Sequence, residues 1–169
     1  RTSFYKRYLF SIPNWNSTET ALKMGTKKSD FYNESVLDRF KIQLESSNIE
    51  TNYTLKPDFS WACTDIDQIV NKYFGKKFIL IFPFCSLKLS HKKWPHFNEL
   101  VKIIKKKNSN LEIVMAPGPN EIDEAKKIEA ILITNKDKPL TIIELAGLIK
   151  KSSFVIANDT GPAHMAAHL

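Results

Sequence analysis

The chain has 169 residues, 43% hydrophobic and 25% charged, the proportions of a soluble globular protein rather than a disordered or fibrous one. No apolar run approaches the roughly 20 residues that a membrane-crossing helix needs, and the two cysteines, Cys63 and Cys85, form neither a disulfide framework nor a zinc spacing. The net charge of +7 is concentrated in the second half, where residues 76–169 hold 15 Lys+Arg against 9 Asp+Glu, which suits an anionic partner: a nucleotide, a phosphorylated lipid head group or nucleic acid.

Residues 1–20 interleave basic and aromatic side chains. Such a stretch can face a membrane surface or nucleic acid, or, more plainly, pack its aromatics into a core. From Ser35 the spacing of Val36, Leu37, Phe40, Ile42 and Leu44 predicts a helix over about 34–47, with Asn48 as a stop. Residues 51–64 read as an extended linker around Pro57. Asp65 is expected to cap a short helix carrying Ile66, Ile69, Val70 and Phe74 and closed by Gly75. The domain boundary is expected near 60–76.

The second half is more regular. Phe78–Phe82 is a five-residue apolar run of the kind found in buried parallel strands. After a loop from Pro83 to Lys93, Trp94-Pro95 is expected to start a helix with Phe97, Leu100, Val101, Ile103 and Ile104 on its apolar face and Lys105-Lys106-Lys107 at its end. Leu111–Met115 is the next strand. Pro117-Gly118-Pro119 turns the chain, and Asn120 is expected to cap a helix running to about Ile133. Thr141 with Glu144 three residues later forms a capping box for a further helix, closed by Lys150-Lys151. A strand over 153–157 follows. Alternating strands and helices imply a parallel sheet covered on both faces, an α/β, Rossmann-like domain. The G-x-G-x-x-G dinucleotide fingerprint is absent, which argues against nicotinamide chemistry.

The most informative stretch is Phe154–Leu169. The strand stops at Asn158-Asp159-Thr160-Gly161, and Pro162 opens a helix carrying His164 and His168. A strand, a tight polar turn and a helix start are what open α/β sheets use to hold phosphates. Gly161 permits close backbone approach, Thr160 offers a hydroxyl and an N–H, Asp159 can accept from ligand hydroxyls, and His164 can donate one hydrogen bond. In the loop after the first strand, Ser86, Ser90, Lys92 and Lys93 supply hydroxyls and fixed positive charge suited to a diphosphate. The four histidines give no compact zinc signature, and no metal is expected.

Asp159-Thr160-Gly161-Pro162-x-His164-x-Ala166-Ala167 resembles the D-[ST]-G-x-x-H-x-A-A signature of glycosyltransferase family 9, the heptosyltransferase-like enzymes. Lys92-Lys93-Trp94-Pro95 resembles the K-x-W-P element of that family, and Asp38-Arg39 its h-x-x-D-R helix. Pro83-Phe84-Cys85-Ser86 departs from the common H-P-G-x-S by lacking the glycine. The resemblance implies a GT-B fold of two Rossmann-like domains. Residues 1–60 would be the later part of the acceptor-binding N-terminal domain, 61–75 an interdomain linker, and 76–169 a truncated donor-binding domain, so that the chain is an internal fragment. It also implies inverting transfer of a sugar from a nucleoside-diphosphate donor, with ADP-heptose expected, to a lipopolysaccharide core acceptor, without cofactor or essential metal.

By the same resemblance Ser86, Lys92, Glu121, Leu140, Asp159, Thr160, Gly161 and His164 bind the donor: Lys92 on the phosphates, Glu121 on the ribose, Leu140 at the base pocket. The catalytic base would be an aspartate near the start of the N-terminal domain, so no base is expected in this chain, and the fragment alone would be inactive. The expected location is cytoplasmic, with room for a peripheral contact at the inner membrane and no nucleic-acid partner. The competing expectation is a non-catalytic nucleotide- or polyanion-binding module, resting on the charge of residues 76–169; an epimerase or phosphatase on a similar sheet would need a catalytic group that residues 76–169 do not offer.

Overall fold

The computed structural model describes residues 33–52, 57–73 and 77–169. The basic, aromatic stretch at 1–20 and the Phe74-Gly75 end expected for the short helix lie outside the described residues. The chain divides into two compact units, Arg1–Pro57 and Asp58–Leu169.

In the first unit, helix α1 spans Val36–Glu45. The Ser35 hydroxyl caps it by accepting from the Asp38 N–H at 3.2 Å, and donates in turn to the Asp38 carboxylate at 2.6 Å. The chain leaves α1 through Asn48, whose φ of 56° is the left-handed backbone that asparagine tolerates better than most residues. The stop at Asn48 is therefore as the sequence indicates.

The second unit is built on a four-stranded parallel sheet: β1 (Phe78–Phe82), β2 (Glu112–Met115), β3 (Ile131–Leu132) and β4 (Phe154–Ala157), in the order β3-β2-β1-β4. Its helices are α2 (Asp67–Val70), α3 (Phe97–Lys107), α4 (Ile122–Ala125), α5 (Ile142–Lys151) and α6 (Gly161–Ala166). Strand side chains alternate faces, and the core divides accordingly. Phe78, Leu80, Phe82 and Val114 pack on one face with Ile66 and Val70 near α2 and Leu148 and Ile149 of α5. Ile81, Ile113 and Met115 pack on the other with Phe97 and Val101 of α3 and Ala125 of α4. Both faces are covered, which is why the strands read as continuous apolar runs.

Two elements depart from the sequence reading. The helix expected from Asn120 to about Ile133 is one turn, α4, followed by β3, whose ladder continues as Ile133 N–H donates to Met115 O at 2.8 Å. Ala130-Ile131-Leu132-Ile133 is a short apolar run that suits a strand buried on both faces as well as a helix face; here the open edge of β2 claims it. Residues 61–73, the described part of the stretch read as a linker, pack within the second unit: Ile66 is fully buried, and the Thr64 carbonyl lies so near Gly147 of α5 that a Cβ there would come within 2.3 Å of it. The Thr141–Glu144 capping box is present in both its halves.

Candidate donor site at the carboxyl ends of the strands

The chain leaves β1 toward β2 on one side, and only later returns as β4 on the other. The order in which strands are added thus reverses between the parallel neighbours β1 and β4, the position where open α/β sheets bind ligands. Asn158, at the end of β4, ties the loops after these two strands together. It is 6% exposed, and its backbone N–H extends the ladder to Phe82 O at 3.2 Å. Its side-chain amide donates to Pro83 O at 2.8 Å, and its side-chain oxygen accepts from Trp94 N–H at 3.1 Å. One buried side chain therefore holds both ends of the 83–94 loop, whose middle is the 3-10 segment Leu87–Lys92.

A cleft of about 620 Å³ opens at this edge of the sheet. Four of the residues singled out from the sequence line it, from four separate segments: Ser86 after β1, Glu121 after β2, Leu140 before α5 and Thr160 after β4. Apolar walls come from Phe82, Met115, Leu145 and the prolines 83, 117 and 162. An apolar cleft with a few converging polar groups is the usual form of a small-molecule site.

Lys92, Asp159 and His164 form a linked group beside Thr160. Lys92 Nζ donates to Asp159 Oδ2 at 2.5 Å, and His164 Nε2 lies 3.4 Å from the other oxygen of that carboxylate. The Lys92 hydrogen bond, reinforced by its charge, holds the Asp159 carboxyl below the usual aspartate range, with a smaller pull from His164. Lys93, by contrast, pairs with Glu124 and places its ammonium over the Phe84 ring, 5.2 Å from the centroid. It is thereby drawn toward α4, apart from the Lys92–Asp159 group.

Glu121 holds the turn before α4 closed: its Oε2 accepts from the Gly118 N–H at 2.8 Å, and its own N–H donates to Gly118 O at 3.1 Å. A side chain on Gly118 would meet that carboxylate at 3.1 Å, so the glycine keeps the turn tight. Gly161 is different. A Cβ built there has no neighbour within 4 Å, and its φ lies outside the left-handed region, so the described structure makes no demand for glycine at this position. Thr160 precedes it as the N-cap of α6 and donates its hydroxyl to Asn158 O at 3.2 Å.

Two further residues of this site, Asn158 and Lys138, escape sequence reasoning. Asn158 is visible only as part of a polar turn, although an amide at the end of a buried strand is a signal worth weighing. Lys138 lines the cleft with Leu140 and Thr141; the family resemblance sets Leu140-Thr141 at the base pocket, whereas nothing in the local sequence of Lys138 aims it there. His168, four residues after His164, does not join the group; its ring stands edge-on to Phe59 at 5.8 Å. Among the described residues no cluster of His, Cys, Asp and Glu is arranged to hold a metal ion.

Fold and cleft together define an open, parallel α/β domain whose ligand edge mixes an apolar slot with a lysine–aspartate–histidine group. Residues 16–169 match the family described as glycosyltransferase family 9 (heptosyltransferase), and the chain belongs to that family. It is 32% identical over 105 residues to the lipopolysaccharide core heptosyltransferase OpsX of Haemophilus influenzae, an alignment covering 59% of this chain and 29% of that protein. In fold it is similar to the E. coli heptosyltransferase WaaC, solved with ADP-2-deoxy-2-fluoro heptose, with a TM-score of 0.56 at 18% identity over 85% of this chain and 43% of that one. The sheet is thus the α/β architecture of a GT-B glycosyltransferase. The chain spans less than half the length of either protein.

Proposed function

We propose that this chain carries the donor-binding part of an inverting glycosyltransferase that moves a sugar, heptose by preference, from a nucleoside diphosphate, ADP in the first instance, to a lipopolysaccharide core acceptor. The observation that carries the reading is the convergence of Ser86, Glu121, Leu140 and Thr160 on one cleft beside the Lys92–Asp159–His164 group. Family membership and the names of OpsX and WaaC support the sugar and the acceptor class.

In this reading the base lies along the apolar slot at Leu140 and the ribose hydroxyls meet the second oxygen of Glu121. The diphosphate rests near Ser86, Thr160 and the bare backbone of Gly161. Departure of a nucleoside diphosphate concentrates negative charge on its outer phosphate, and a cation placed there lowers the barrier. Lys92 is that cation, with His164 donating a further hydrogen bond. Asp159, freed from Lys92, accepts from sugar hydroxyls and orients the anomeric carbon. Deprotonation of the acceptor hydroxyl falls to a base in the N-terminal domain. The donor is a substrate, and the scheme calls on no cofactor or metal. No helix among the described residues is long and apolar enough to cross a membrane; the enzyme would work in the cytoplasm and meet its lipid-linked acceptor at the inner-membrane surface.

The test is a titration of the full-length protein with ADP, GDP, UDP and CDP at two salt concentrations, beside Lys92→Ala and Asp159→Ala. A base preference that survives salt and weakens in Lys92→Ala supports the transferase. Equal, salt-sensitive binding of all four, indifferent to both substitutions, would leave a polyanion-binding module instead.

A further inference from the structure

Lys138 is the one cation among the described residues lining the cleft, and its ammonium has no partner among them. Lys92, expected on the ligand, is turned to Asp159 instead. The mount that carries Lys138 is unusual. Asn135 and Lys138 exchange backbone hydrogen bonds of 2.8 and 3.0 Å, closing a two-residue turn. The residues inside it, Lys136 and Asp137, have φ of 50° and 61°, the left-handed backbone that glycine, asparagine and aspartate enter most readily, so that Lys136 is the member held against its preference. Held backbone strain of this kind clusters at ligand sites, because the surroundings must enforce it.

The surroundings do. The Asn135 side-chain amide donates to Glu144 Oε1 at 2.6 Å, and Glu144 Oε2 accepts from the Thr141 N–H at 2.7 Å and hydroxyl at 2.8 Å. Next to the turn, Tyr73 hydroxyl donates to Thr134 O at 3.2 Å. Turn and helix start are braced as one piece, with Lys138, Leu140 and Thr141 on the cleft side.

We infer that Lys138 is a specificity residue, donating a hydrogen bond to an acceptor atom on the edge of the donor's base, a ring nitrogen or ring carbonyl oxygen. The inference rests on the donor-site reading above, which places the phosphates at Thr160 and Gly161 and the base at Leu140. Lys138 stands two residues from Leu140 on the braced piece, at the base end of such a ligand. All four common bases carry edge acceptors, but in different positions, so an ammonium on a rigid mount discriminates among them by geometry.

The experiment titrates the full-length protein, Lys138→Met and Lys138→Arg with the four nucleoside diphosphates and with inorganic pyrophosphate. Expected in Lys138→Met is a loss of about tenfold for the best-bound nucleotide, the size of one hydrogen bond from a charged group. The four affinities should converge, the ranking being lost, while pyrophosphate binding is unchanged, and Lys138→Arg should keep most of the ranking. Equal losses for all four and for pyrophosphate would mean a general charge effect and overturn the inference, as would unchanged binding in Lys138→Met or a wild type that binds all four equally. A wild type that binds none of the four sinks the donor-site reading and this inference together; a ranking that survives Lys138→Met sinks this inference alone.

Discussion

The Lys92 ammonium and the Asp159 carboxylate, 67 residues apart in the chain, meet at 2.5 Å at the rim of the cleft. Two groups assigned to different parts of one donor, phosphate and sugar, neutralise each other before it arrives. Both are substantially exposed, 36% and 61% by side chain, so the pair adds little to stability and is readily exchanged for ligand contacts.

Removing the lysine should therefore read out at the aspartate. In Lys92→Met the Asp159 carboxyl pKa is expected to rise toward its ordinary 3.8, since the lost hydrogen bond and charge are the two largest causes of its depression. A carboxyl NMR titration measures it. Nucleoside diphosphate affinity should fall about tenfold in the same variant, for one lost charged contact.

Gly161→Ala separates what the protein needs from what a ligand needs. With no described atom within 4 Å of the new methyl group, stability should stay within about 0.5 kcal/mol of the parent. Nucleotide binding should nevertheless weaken by at least about tenfold, because the methyl occupies the surface offered to the diphosphate. Thermal unfolding and calorimetric titration of the one variant give both numbers. Unchanged affinity would place the diphosphate elsewhere.

Asn158→Ala should do the opposite and act first on the fold. It strips the partners from Pro83 O and Trp94 N–H at a buried position, which is expected to cost about 2–3 kcal/mol in chemical denaturation. With its two ties gone the 83–94 loop loses its seat, and nucleotide affinity should drop even at temperatures where the variant is fully folded.

The capping box gives a pH-dependent test. Hydrogen bonds from the Thr141 backbone and hydroxyl, with a smaller one from Asn135, lower the Glu144 pKa from its ordinary 4.5. A depressed folded value means that the stabilisation is complete above the unfolded value of 4.5 and is lost as pH falls through the folded one. Glu144→Gln should flatten that acid limb of the stability curve, and Thr141→Ala should cost about 1 kcal/mol at neutral pH.

Reading the sequence recovered what local chemistry controls. Phe78–Phe82 is a strand because its unbroken apolar run buries both faces, Phe154–Ala157 pairs along it as the half-buried edge strand, and Thr141–Glu144 starts a helix because the two side chains satisfy each other's backbone. Ser86 and Thr160 stood out because polar loops after the strands of a parallel sheet meet at one edge, whereas Glu121 and Leu140 stood out only through the family resemblance. What stayed hidden depends on distant partners. Ile131-Leu132 becomes a strand only because β2 has an open edge. Ile66 joins the core only because Gly147 leaves room for the neighbouring Thr64 carbonyl. Lys138 reaches the cleft through a turn of two left-handed residues, neither of them glycine, that no local signal announces.

The order of strands also has a consequence for synthesis. β1 is made early and gains β2 soon after, but its other edge stays open until β4 emerges, and Asn158 follows Pro83 by 75 residues. Through that interval a nascent chain displays the unpaired backbone of an all-apolar strand, Ile79–Phe82, to any neighbour able to add a strand of its own. The step that closes this edge is also the step that brings Asp159 to Lys92, so maturing the cleft and ending the exposure to aggregation are one event.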